Sequence, residues 1–137
     1  MSQEKNLFVS AHRRITDRER ALIACLLEST PLARHLIDSL DDMLVTEMAD
    51  GGMGSLVLIP KGFENVARRF GEQVALGVYI DADGVPVSVA LNLDQQKRLY
   101  ELDLWKVNFT PVLRLPDPAE VRLTDVGLEP ASRAQAQ

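Results

Sequence analysis

The chain has 137 residues, 46% apolar and 26% charged, with a formal net charge of −5; a chain of this size buries roughly two-thirds of its unfolded surface around one core without disulfides or metals, which excludes a disordered chain or a fibre. Its longest apolar runs, such as "LVLI", fall far short of the roughly 20 residues a bilayer crossing requires, so no membrane partner is expected. Its basic residues form no stripe interleaved with aromatics, so nucleic acid is not expected as a ligand either.

The first stretch, "MSQEKNLFVSAHRR", lacks the apolar run of a secretory leader and carries its basic pair after the apolar residues. Residues 1–14 are therefore expected as an N-terminal arm, residues 15–126 as one domain, and residues 127–137, ending in "ASRAQAQ", as a frayed tail. Thr16 and Glu19 have capping-box spacing, with Ile15 as the hydrophobic residue ahead of the cap. Leu22, Ile23, Leu26 and Leu27 then recur at helical spacing. Cys25, the sole cysteine, cannot close an intrachain disulfide, which suits the cytoplasm; it reads as a buried apolar residue.

A second helix is expected over "STPLARHLIDSL", with Thr30 as cap, Pro31 at the first helical position and Leu32, Leu36, Ile37 and Leu40 as its stripe. Beyond Met43 the period changes to two: "LVTEM", "SLVLI", "QVALGVYID", "VPVSVALNL" and "LYELDLWKVNF" read as strands. Between the second and third of these, "GFENVARRFGE" reads as a short helix with Gly71 as its stop. Asp83-Gly84 marks a hairpin between the third and fourth strands. The expected fold is α+β: two N-terminal helices packed on an antiparallel meander sheet of about five strands.

Motifs that carry chemistry are weak throughout. "ADGGMGSLV" lacks the lysine and following helix of a phosphate-binding loop, and Val57 stands where a dinucleotide fold places its third glycine. It reads as a turn between strands, whose Asp50, Gly52 and Met53 are candidates for touching a partner. "DADG" lacks the ligand spacing of a calcium loop, and His12 and His35 have no metal-ligand neighbours, so neither a metal nor a cofactor is expected. Ser55 is in no nucleophile elbow. In "LYELDLWKVNF", alternation puts Leu99, Glu101, Asp103, Trp105, Val107 and Phe109 on one face and Tyr100, Leu102, Leu104 and Lys106 on the other. Two carboxylates beside the only tryptophan form a candidate recognition patch of Glu101, Asp103 and Trp105.

The segments "EMADGGMGSL", "DADGVPVSVALNLD" and "LYELDLWKVNFTPV", spanning residues 44–112, resemble a family of small bacterial proteins without known activity. The resemblance implies a bacterial, cytoplasmic, single-domain protein and transfers no catalytic residue. Acid is also unevenly placed: Asp38, Asp41, Asp42, Glu47 and Asp50 stand unopposed between residues 35 and 60, as do Asp81, Asp83 and Asp94 between 74 and 94. Such surfaces steer basic partners. The function expected is thus a non-enzymatic protein-binding module, akin in size and charge to immunity proteins that inhibit a basic toxin. Alternatives are a small enzyme or ligand-binding domain with a pocket between helices and sheet, and a homodimer paired through an exposed strand.

Overall fold

The computed structural model of the protein describes residues 12–125. Arg13–Arg14 (β1) leads into one α-helix, Asp17–Glu28 (α1). A 3-10 helix, Arg34–Asp42, precedes six strands: Leu44–Glu47 (β2), Leu56–Ile59 (β3), Phe70–Ile80 (β4), Pro86–Asp94 (β5), Leu99–Lys106 (β6) and Arg122–Thr124 (β7). A second 3-10 turn, Pro118–Glu120, lies just before β7. The strands form one sheet in the order β1-β2-β3-β6-β5-β4-β7, with antiparallel pairing throughout.

The class is broadly α+β, but the expected arrangement of two helices on about five strands is overturned by the seven-stranded sheet and single α-helix of the described residues. α1 forms where capping predicts it. Thr16 Oγ1 accepts from Glu19 N–H at 3.1 Å, and the Glu19 carboxylate accepts from Thr16 N–H at 3.0 Å. Leu22, Ile23, Leu26 and Leu27 are fully buried against the core leucines and valines of the sheet.

The second helix fails at its first turn. Thr30 Oγ1 donates to one of the carbonyls of Leu26 and Val74 rather than capping a new helix, and Ala33 stands at the cap position without a side-chain hydrogen bond. The chain settles into a 3-10 helix whose poorer geometry cannot hold a 3.6-residue stripe against the core. Leu40 is buried, Leu36 and Ile37 are only half-buried, and Leu32 is 92% exposed.

The third expected helix is likewise absent. "GFENVARRFGE" makes turns and then enters β4 at Phe70. Two features pin it to the sheet. The buried Arg68 guanidinium bonds the carbonyls of Leu58 and Leu99, and Gly71 passes so close to β5 that a Cβ there would lie 2.2 Å from the Asp94 carbonyl oxygen.

The meander β4-β5-β6 is present, with the expected hairpin closed by Gly84 N–H to the Asp81 carbonyl and Asp81 N–H to the Val85 carbonyl. One parity is corrected. β6 bulges so that Asn92 faces Glu101 while Leu93 faces Leu99. The bulge returns Leu99 to the core side with Leu102 and Leu104 and leaves Glu101, Asp103 and Trp105 on the opposite face. Strand pairing ends at Lys106, so Val107 and Phe109 belong to the following turn.

Candidate functional site

The glycine loop between β2 and β3 is held from inside. Met48 N–H donates to the Ser55 carbonyl, and the two oxygens of Asp50 accept from the N–H groups of Met53 and Ser55 at 3.0 and 3.1 Å. Gly51, Gly52 and Gly54 all have positive φ, and the Gly52 carbonyl accepts from Val112 N–H. The loop runs on along β6 beyond the end of β3. Ser55 Oγ accepts from Leu104 N–H at 2.9 Å and lies 3.3 Å from Asp103 Oδ1, while the Met53 sulfur accepts from Lys106 N–H. Met53 is therefore only 6% exposed.

Beneath this loop lies a group that sequence reasoning passed over. Lys106 is fully buried, with Nζ donating to Asp81 Oδ2 at 2.8 Å, Asp83 Oδ2 at 2.7 Å and the Pro111 carbonyl at 3.1 Å. Asp81 also accepts from the N–H groups of Ala82 and Leu113. Burial opposes ionisation of Asp81, but these hydrogen bonds outweigh it and hold the carboxyl below its ordinary range. Burial likewise works against the ammonium of Lys106, and its two carboxylate partners outweigh it, raising its pKa. The hairpin tip, the end of β6 and the 111–113 segment are thus tied at one nitrogen. The clue was in the sequence: Lys106 falls on the apolar face with Leu102 and Leu104, where a lysine is tolerated only with partners.

Between the glycine loop, the N-terminal end of α1 and the 112–115 segment opens a cleft of about 330 Å³. Its charged lining is Arg13, Glu19, Glu47, Asp50 and Arg114, over an apolar floor that includes Met53, Leu56 and Val112. Arg13 grips Glu19 with two parallel hydrogen bonds, 3.0 and 2.8 Å, and reaches Glu47 at 3.2 Å. Burial pushes the Glu19 carboxyl up, but Arg13 and the Thr16 N–H outweigh it and keep its pKa low. Arg114 is turned to Glu120 at 2.7 Å.

The six sequence candidates divide. Asp50, Gly52 and Met53 line this cleft. Glu101, Asp103 and Trp105 lie half-buried on the face of the sheet away from α1, where Glu101 accepts from Asn92 Nδ2 and Trp105 meets Phe109 edge-on at 5.1 Å. Asp103, through Ser55, links the two groups. Among the described residues no group of three or more His, Cys, Asp or Glu side chains is placed to hold a metal ion, and no helix is long and apolar enough to cross a membrane.

A family model described as a domain of unknown function, DUF6984, matches residues 12–116. The chain belongs to the DUF6984 family. No curated protein and no solved structure matches it. The DUF6984 match takes in β1 through β6, the glycine loop and the Lys106 cluster, and ends before β7. The cleft's own residues, from Arg13 to Leu115, therefore all fall inside the DUF6984 region.

Proposed function

We propose that the chain is a non-enzymatic binding module of the bacterial cytoplasm that takes a basic side chain of a partner protein into the cleft beside the glycine loop. The observation that carries this reading is the cleft's charge: Glu19, Glu47 and Asp50 line it against Arg13, while its other cation, Arg114, is spent on Glu120. The apolar floor suits the methylene stem of a lysine or arginine whose head meets Glu47 at the rim. Glu101, Asp103 and Trp105 give the same partner a second patch on the opposite face. In its most specific form the module is an immunity-like inhibitor and the partner a basic toxin.

The test starts from a tagged chain used to capture a partner from lysate, with salt rising from about 0.05 to 0.5 M to screen exposed charge. The partner is then identified by mass spectrometry and purified. Its dissociation constant is measured against wild type, Glu47→Gln and the double variant Glu101→Ala/Asp103→Ala. An affinity indifferent to Glu47→Gln removes the cleft from the reading, and one indifferent to the double variant removes the second patch. A second reading, a small cationic ligand in the same cleft, is favoured by the convergence of polar groups on a space at the lower end of small-molecule sites. It predicts a thermal shift with a free diamine or guanidine compound.

A further inference from the structure

We infer that a second site, on the sheet face away from α1, binds a small neutral aromatic molecule that carries a hydroxyl or carbonyl group. This inference is independent of the acidic cleft and of any protein partner. Thr46 and Val57 pair across β2 and β3 and alternate with Val45 and Leu58, which lie in the core, so both point to the far face. There the 60–69 segment runs beside the strands and borders an open cleft of about 290 Å³, the volume of about ten waters. Its floor is Val57, Ile59 and Thr46, its walls are Phe63, Val66 and Tyr100, and the exposed His12 and Glu64 complete its lining with Arg68.

Two observations point to a ligand and to its class. The first is Thr46, which is 6% exposed and whose Oγ1 is buried without a hydrogen-bond partner. A buried hydroxyl left unbonded is costly, and a donor or acceptor in the cleft removes that cost once the Thr46 side chain turns to meet it. The second is the character of the walls. Arg68 lies over the Tyr100 ring at 5.1 Å and Arg98 over the Phe63 ring at 4.1 Å, so both aromatics are held flat. Arg68 is itself committed to Asp94 and to the carbonyls of Leu58 and Leu99, and so serves as a wall rather than as a charge aimed at a guest. Apolar floor, flat walls and one hydroxyl at the base select an aromatic body with a single polar substituent, and the Glu64 carboxylate in the lining disfavours an anionic one.

The experiment exchanges a hydroxyl for a methyl on each side of the contact. Protein carrying labelled methyl groups is titrated with p-cresol and with p-xylene, as wild type and as Thr46→Val. The expected result is saturable shifts at Val57, Ile59 and Val66. Wild type prefers p-cresol by about three- to tenfold, the range a neutral hydrogen bond confers, and Thr46→Val loses or reverses that preference. Val66→Trp, a change at a half-exposed position on the cleft wall, abolishes both titrations while circular dichroism stays native. The inference is overturned by an absence of shifts at these methyls up to the solubility limit. An unchanged preference in Thr46→Val also overturns it, as does survival of binding in Val66→Trp.

Discussion

Replacing Thr46 with valine is expected to make the ligand-free protein more stable, which is an unusual outcome for a substitution at a buried position. Thr46 Oγ1 lies buried with no partner, so the native state carries the desolvation cost of a hydroxyl, about 1–3 kcal/mol, with nothing to offset it. Valine removes that cost and adds the burial of one methyl group, worth about 0.8 kcal/mol. Part of the gain is lost to imperfect packing of a methyl where a hydroxyl sat, leaving a net of about 1–2 kcal/mol. The assay is urea unfolding followed by tryptophan fluorescence and circular dichroism. The midpoint should rise with the slope unchanged, and the melting temperature should rise by roughly 4–8 °C. Thr46→Ser, which keeps the hydroxyl and loses the methyl, should move the other way by about 1 kcal/mol. A Thr46→Val protein less stable than wild type at equal slope would mean that the hydroxyl has a strong hydrogen bond in the free protein. The argument for the second site would fall with it.

Four further outcomes follow from the geometry. Lys106→Met strands the buried Asp81 carboxylate, so its urea midpoint should fall well below that of Lys106→Met/Asp81→Leu; equal midpoints would show that the pair is not coupled. Asp81 and Asp94 both have pKa values held below 3.8. The stability they confer is complete above the unfolded value and drains away as pH falls through the lower folded values, so the steepest part of acid unfolding should lie below about pH 4 and become shallower in Asp94→Asn. Gly52→Ala combines a backbone at φ 85 with a Cβ 3.0 Å from Pro111 and should cost about 1–2 kcal/mol in equilibrium unfolding. Burial and the nearby Asp81 push the Tyr79 hydroxyl up, and it donates to the Arg114 carbonyl; in an alkaline titration its phenolate band should appear only together with loss of circular dichroism.

Much of the architecture was legible where a local rule governs. The capping box set the start of α1, period-two alternation found β2 to β6, and Asp83-Gly84 marked the hairpin. Sequence reasoning failed where a distant contact decides. Pro31 signals a helix start, but the Thr30 hydroxyl turns to the carbonyls of Leu26 and Val74, donating to one of them, instead of capping. The spacing of Phe63, Val66, Ala67 and Phe70 is helical, yet Arg68 and Gly71 fasten that segment to the sheet. β1 and β7, with two and three residues, are too short to show a period. Of the site, the glycine loop was recognised as a turn, whereas the Lys106 cluster was split between a hairpin motif and a strand motif that were weighed apart. The bulge in β6 reverses the alternation at Leu99, and nothing in "LYELD" announces it.

The cluster at Lys106 also constrains how the sequence can change over time. Asp81, Asp83, Lys106 and the Pro111 carbonyl form a single unit spread over some thirty positions of chain; loss of Lys106 strands the buried Asp81 carboxylate, whereas loss of the exposed Asp83 leaves Lys106 still paired with Asp81. Drift at Lys106 and Asp81 is therefore concerted, while Asp83 is freer to vary: a lineage that lost the lysine would be expected to lose the Asp81 carboxylate as well, and to refill the space with apolar volume. The surrounding loops can vary one residue at a time, while this buried pair is inherited or replaced together.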